Sequence, residues 1–289
     1  MLDSDTVPGR PLCWTRILRD GAKKHAGKDA RAERGARNET AGLKRSSLPG
    51  GGRGIGFGIA TAFAREGANI AITNLNEQGL EEAKKALEGY GAQVLTVVAD
   101  GADERAVASA VKQTADRFGG VDVVVNNAQA SKSGVLLVDH TTADFELALH
   151  SGLYAAFYYM RAAFPYLKRA KGLVINLASG AGLSGKSGQS SYAAAKEGIR
   201  GLSRVAATEW GEFGVRVNVV CPLVMTQALE QWSRDYPQLY RDTIKHIPLQ
   251  RFGDAEKDIG RLCVFLASED ASYITGQTIE IQGGTDLRP

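Results

Sequence analysis

The sequence predicts an α/β protein, one domain built as a doubly wound parallel sheet in three αβα layers. Three observations predict it. Short apolar runs alternate with longer segments whose apolar residues recur at three and four spacings. The short runs are continuously apolar, as strands covered on both faces must be. A glycine-rich turn, Gly50-Gly-Gly-Arg53-Gly54-Ile55-Gly56, runs straight into one of the helical segments. A chain of 289 residues, 44% hydrophobic and 23% charged, can bury one sizeable core.

The elements follow in order. Residues 1–48 show no sustained period and hold eleven Lys and Arg against six acidic residues, so a disordered basic extension is expected there. The acidic residues argue against a transit peptide. The folded domain is expected over 49–289. After the glycine turn comes a helix with Ile55, Ile59, Ala62 and Phe63 on its apolar face, then a strand over Ala68–Thr73 and a helix over Gly79–Glu88. Strands are expected at Val94–Ala99 and Val121–Val125, separated by a helix over Asp103–Phe118. Thr142–Lys168 reads as one long helix, with Phe157, Met160, Phe164 and Leu167 on one face. A strand at 173–177, a helix at 190–213, a strand at Val215–Val220, a helix at 254–267 and a strand at Thr278–Ile281 complete the pattern.

Composition narrows the function. A net charge of +3 predicts no nucleic-acid partner. No apolar run approaches the length that spans a bilayer and no signal-peptide core precedes the fold, so a cytoplasmic protein without membrane partners is expected. Cys13, Cys221 and Cys263 lack metal-ligand spacing, and the last two fall in apolar runs, which predicts buried thiols. The four histidines show no ligand spacing either, so no metal is expected.

In the parallel sheet, ligands sit beyond the carboxyl ends of the strands, where Asp100, Asn126, Ser179 and Pro222 fall. The glycines at 50, 54 and 56 let backbone approach a pyrophosphate at a helix N-terminus. Ser179 stands thirteen positions before Tyr192, and Lys196 follows by four. Residues four apart share one helix face, so Tyr192 and Lys196 can enter one cavity. A nearby ammonium would lower the tyrosine pKa and let the phenol shuttle a proton. The plainer reading is a surface tyrosine and a solvated lysine on an Ala-rich helix.

These residues, with Asn126-Asn127-Ala128, Arg216-Val-Asn-Val-Val-Cys-Pro222, Pro248-Leu-Gln-Arg-Phe-Gly, Phe265-Leu-Ala-Ser and Ile274-Thr-Gly-Gln, resemble the short-chain dehydrogenase/reductase family over residues 50–284. The resemblance implies a Rossmann-type fold and an NAD(P)-dependent oxidoreductase acting on a small-molecule secondary alcohol or carbonyl substrate. It implies Tyr192 as general acid/base, Lys196 as the group that binds ribose and tunes the tyrosine, and Ser179 as the group that orients the substrate oxygen. The cofactor-binding set it implies is Gly50, Gly52, Arg53, Gly54, Ile55, Gly56, Asn74, Asp100, Gly101, Asn127, Ala128, Tyr192, Lys196, Pro222, Val224 and Thr226. Asn74 stands where an acid would select NAD(H), and Arg53 can pair with a phosphate, so NADP(H) is favoured slightly over NAD(H). A homo-oligomer, dimer or tetramer, follows by analogy.

Four departures from the family pattern stand out. Gly152 occupies the place of an asparagine that holds a relay water, with Ser151 beside it as a substitute. Gln129 follows Asn-Asn-Ala where glycine is usual, and Pro222-Leu223 replaces Pro-Gly, with Thr226 one residue early. The fourth is Leu43-Lys-Arg-Ser-Ser-Leu-Pro49, where the central first strand should lie. Two cations, two serines and a proline are expected to be unable to fill a strand buried on both faces. A shifted reading frame over residues 1 to about 49 would account for it: if Lys44–Pro49 is encoded as AAA AGG TCG TCA TTA CCG, reading two nucleotides later gives Lys-Val-Val-Ile-Thr-Gly; the alternative is a real basic extension with a degenerate first strand. The alternative function is therefore a dinucleotide-binding or structural protein that keeps the fold without turnover. Between Thr226 and Pro248, Trp232, Tyr236 and Tyr240 suit a lid over an apolar substrate or a packing role on the sheet. Arg234, Arg241 and Lys245 suit an acidic substrate or a charged surface.

Overall fold

The computed structural model describes residues 45–285. Residues 1–44 of the expected 1–48 extension, Cys13 among them, lie outside the described residues, as do residues 286–289, whereas 45–48 belong to a strand. Among the described residues one seven-stranded sheet runs β3-β2-β1-β4-β5-β6-β7, every neighbouring pair parallel. Its strands are β1 (Arg45–Pro49), β2 (Asn69–Asn74), β3 (Val94–Val98), β4 (Val123–Asn126), β5 (Leu173–Leu177), β6 (Arg216–Pro222) and β7 (Thr278–Ile281). The strand order reverses between β1 and β4, which opens a crevice at their carboxyl ends.

The helices are α1 (Gly54–Arg65), α2 (Glu77–Glu88), α3 (Glu104–Phe118), α4 (Thr142–Ala148), α5 (Ala155–Ala170), α6 (Gly180–Ser184), α7 (Ser190–Trp210), α8 (Gln227–Asp235), α9 (Pro237–Lys245) and α10 (Arg261–Ala267). Asp103 caps α3 by accepting from the Arg105 and Ala106 amides, and Gly119 ends it in the left-handed conformation. The long helix expected over 142–168 is interrupted by a π-helical segment, Leu149–Tyr154, between α4 and α5. A second π segment, Ala255–Gly260, precedes α10.

Alternate residues of each strand enter opposite layers. Val123 and Val125 join Leu48, Ile59, Phe63, Ile72 and Ile175 in one core. Val124 joins Val107, Val111, Tyr159, Met160, Leu167, Val174 and Val217 in the other. Cys221 and Cys263 are buried free thiols, pushed up to about 11 and about 12 by desolvation.

The expectation that the segment before Gly50 cannot form the central strand is corrected. β1 forms and pairs with β2 from Arg45↔Asn69 to Pro49↔Thr73. The cation stays at the sheet's amino edge: Arg45 forks onto Asp122 at 2.6 and 3.0 Å and donates to the Gly119 carbonyl. Pro49 is the last strand residue, and its missing donor faces β4, where the ladder has already ended at Ser47↔Val124. The serines are small enough to be fully buried. Ser46 Oγ donates to the Asn69 carbonyl at 3.4 Å, whereas Ser47 Oγ has no hydrogen-bond partner. Lys44 lies outside the described residues.

Candidate active site

The site grows from the ends of six strands. After β1 the chain turns through Gly50, at φ +74°, into α1. A Cβ on Gly56 would lie 2.3 Å from the Gly50 carbonyl oxygen, so α1 comes down directly onto the turn. Gly54 adopts φ +56° with open space around it. Arg53 offers α1 no side-chain cap and the first turn carries no acid, so the helix presents its first amides and positive dipole end to an anion. Asn127 Nδ2 donates to the Gly50 carbonyl at 3.3 Å and locks the turn to the end of β4.

A cleft of about 580 Å³ opens beyond these ends. Gly50, Arg53, Gly54, Ile55, Asn74, Asp100, Gly101, Asn127, Ala128 and Thr226 wall it. Gly52 and Gly56 are not on that wall, Pro222 closes β6, and Val224 is buried in the core. Asn74 Oδ1 accepts from the Leu75 and Asn76 amides, which leaves its Nδ2 as the donor beside Gly52. The cradle that a Cβ would fill and the open α1 terminus fit a pyrophosphate.

Tyr159 also walls this cleft and was missed in the sequence, where it reads as one more apolar position on α5. Its hydroxyl shares a 2.8 Å hydrogen bond with Thr73 Oγ1, and burial pushes its pKa up to about 12. It is a neutral tie between β2 and α5.

Ser179, Tyr192 and Lys196 converge as expected. Ser179 caps α6 by accepting from the Ala181 amide at 3.2 Å. Lys196 is 4% exposed, and its Nζ lies 5.5 Å from the centre of the Tyr192 ring. The plainer reading of a solvated pair is thereby overturned. The expected lowering of the tyrosine pKa is also corrected. Desolvation pushes Tyr192 up, with the Ser179 hydrogen bond acting against it. The Lys196 ammonium donates to the Leu177 carbonyl at 2.7 Å, and burial brings it down to about 8.

Ser151 is engaged elsewhere: its Oγ accepts from the Ala130 amide and lies within donating distance of the Leu147 and Ala130 carbonyls. It clamps the loop after β4 and is not free to relay a proton. In the lid, Trp232, Tyr240 and Phe252 pack in series, each pair of ring centres 6.2 Å apart. Arg234 pairs with Glu230, Lys245 with Asp242, and Arg241 donates to Gln238, so the lid cations serve its own surface. Among the described residues no cluster of His, Cys, Asp or Glu could hold a metal ion, and no helix is long and apolar enough to cross a membrane.

Comparison with known proteins agrees with this geometry. A family model described as enoyl-(acyl carrier protein) reductase matches residues 50–286. A 12α-hydroxysteroid dehydrogenase of a Clostridium species is 53% identical over 249 residues, 84% of this chain and 96% of that protein. Levodione reductase of Leifsonia aquatica is 33% identical, over 82% of this chain and 92% of its own. The crystal structure of levodione reductase superposes with a TM-score of 0.78 at 33% identity, over 84% of this chain and 98% of that one. That of NAD+-bound xylitol dehydrogenase gives 0.77 at 27% identity, over 83% and 98%. The chain belongs to the short-chain dehydrogenase/reductase family. It is an NAD(P)-dependent oxidoreductase acting on CH–OH groups, and nothing in these comparisons favours a fold retained without turnover.

Proposed function

We propose that the substrate is a steroid-sized, apolar, ring-bearing molecule carrying a secondary hydroxyl or the matching ketone, handled with NADP(H) in preference to NAD(H). One observation supports the substrate class: the loop packed beside the start of α7, near Tyr192, exposes apolar side chains. Leu136, Leu137 and Val138 are 55, 73 and 87% exposed on a loop held against the start of α7. Val135 bridges to Gln189, and His140 Nε2 and Nδ1 lie 2.8 and 3.3 Å from Ser191 Oγ and Ser190 Oγ, just before Tyr192. Thr226, on the cleft wall, leads into α8 and α9, where Tyr236 and Leu239 are also exposed. The 12α-hydroxysteroid dehydrogenase relative supports the same class.

In this reading the Tyr192 hydroxyl exchanges a proton with the substrate oxygen and Ser179 Oγ holds that oxygen in place. The bound nicotinamide supplies or accepts the hydride. The Gly50–Gly56 turn binds pyrophosphate, Asp100 and Gly101 border the adenine, and Lys196, Asn127 and Ala128 line the ribose. Pro222, Val224 and Thr226 form the loop on the nicotinamide side. Arg53 and the free donor of Asn74 favour a 2′-phosphate, with no carboxylate on the wall beside them other than Asp100. Exposed Leu147, Tyr154, Phe157 and Val205 support a homo-oligomer, dimer or tetramer, and a cytoplasmic location belongs to the same proposal.

The test is a dehydrogenase screen with both cofactors on hydroxysteroids, cyclic ketones and short linear ketones. Faster turnover of short linear ketones than of any ring substrate would sink the substrate class.

A further inference from the structure

Histidine spacing in the sequence assigns His140 no role, yet the fold sets this side chain against the two residues that lead into Tyr192. Its Nε2 lies 2.8 Å from Ser191 Oγ and its Nδ1 3.3 Å from Ser190 Oγ. A neutral imidazole is one donor and one acceptor, and a serine hydroxyl is both. In either tautomer one ring nitrogen donates to one serine, while the other accepts from the second serine's O–H. Neighbouring residues on a helix point about 100° apart, so one side chain can hold both hydroxyls only if it carries two separated polar atoms. The ring supplies them.

The surroundings leave the imidazole to this task. Asp144, on the helix that follows, is occupied: Thr141 Oγ1 donates to its Oδ2 at 2.8 Å and Lys132 Nζ donates to the same oxygen at 3.3 Å. Phe145 meets the imidazole edge-on, with 6.4 Å between ring centres at 88°, and so supports its orientation. Ser191 is fully buried, and among the described residues its hydroxyl has His140 as its partner. Gln189 gives α7 no side-chain cap. The first turn of α7 is thus fastened from outside, by a side chain 50 residues earlier in the chain.

Tyr192 stands between two anchors. Lys196, four residues on, is held by the Leu177 carbonyl, and Ser190 and Ser191, just before it, are held by His140. We propose that His140 is a positioning residue, fixing the first turn of α7, and with it the Tyr192 phenol, to the loop that ends at residue 140. That loop is stitched again at its other end, where the Gly134 amide donates to the Gly188 carbonyl at 2.8 Å and Val135 bridges to Gln189. Exposed Leu136, Leu137 and Val138 lie between the two stitches. The loop that carries these apolar side chains and the helix that carries the phenol therefore move as one piece. Misplacing a reacting group by about 1 Å can cost about 10²-fold in rate, so the imidazole serves turnover through Tyr192 without transferring a proton of its own.

This rests on Tyr192 acting as the acid/base group, and the experiment tells the two apart. His140→Leu keeps a branched side chain and removes both nitrogens, whereas Ser191→Ala removes one hydroxyl. With the fastest substrate of the hydroxysteroid and ketone screen, we expect kcat to fall about tenfold or more in each variant, while KM for substrate and Kd for cofactor stay within about twofold. His140→Gln, which restores a donor and an acceptor, should recover most of the lost kcat. The double variant His140→Leu/Ser191→Ala should be no slower than the slower single variant, because both break one link. A histidine that only packs would lower the melting temperature and leave kcat per folded molecule unchanged. Near-wild-type kcat in folded His140→Leu, no recovery in His140→Gln, or losses that multiply in the double variant would overturn the proposal. Full activity in Tyr192→Phe would instead remove the acid/base reading on which it rests.

Discussion

Lys196 Nζ donates to the Leu177 carbonyl at 2.7 Å, which anchors α7 to the tip of β5. The ammonium is therefore held by backbone, and its burial brings its pKa from 10.5 to about 8. For a lysine lowered in the folded state, the unfolded chain binds the extra proton between those values, so stability rises with pH there. Wild type should gain stability relative to Lys196→Met as pH goes from 8 to 10.5, by up to about 3 kcal/mol. Urea unfolding at a series of pH values measures it; parallel curves for the two proteins would show that Lys196 titrates normally.

Tyr192→Phe should reduce kcat at least 10²-fold while the Kd for cofactor stays within about twofold. The change removes one oxygen and keeps the ring beside Lys196. Stopped-flow turnover with fluorescence titration of cofactor checks both halves. Retained turnover would reject the proton-transfer role.

Gly56→Ala places a methyl group 2.3 Å from the Gly50 carbonyl oxygen, which forces α1 away from the turn. Cofactor affinity should drop about tenfold or more, with a loss of about 1–3 kcal/mol in stability. Calorimetric titration reports the affinity, and an unaltered Kd would mean that the turn does not hold the pyrophosphate.

Arg53→Ala should weaken NADP(H) more than NAD(H), reducing the ratio of their kcat/KM values by about tenfold, since a charge-assisted phosphate contact would be lost. If both cofactors weaken equally, Arg53 contributes field alone and the proposed preference fails.

Ser47→Ala removes an orphan hydroxyl from the central strand and should stabilise the protein by about 1 kcal/mol. Denaturant midpoints measure it. Destabilisation would reveal a partner for Ser47 Oγ. Sequencing the locus examines the shifted-frame reading of the same segment, and an upstream frame without a Val-Val-Ile-Thr option would end that proposal.

The parallel sheet, the glycine turn and the grouping of Ser179, Tyr192 and Lys196 were legible in the sequence because each rests on local rules. Continuous apolar runs make two-sided strands, glycines mark backbone that must approach a ligand, and a four-residue spacing puts two side chains on one face. Where the rules failed, partners distant in sequence decided. Arg45 is tolerated in β1 because Asp122 meets it at the sheet edge, 77 residues on. Tyr159 carries no mark of its own until Thr73 is placed opposite its hydroxyl.

Gln129 and Gly152 show the same division. As a string they are two separate departures from a pattern, each suggesting a weakened site. Only the packed molecule brings the amide of one into the space left by the other. The sequence by itself determined the strand order's raw material, the phosphate turn and the reacting side chains, through periodicity and spacing that act over a few residues. Tertiary structure alone decided how the ammonium is buried, why the phenol pKa rises and which side chain covers the glycine. Desolvation and non-local contact depend on what surrounds a group, and that is not written in its neighbours along the chain.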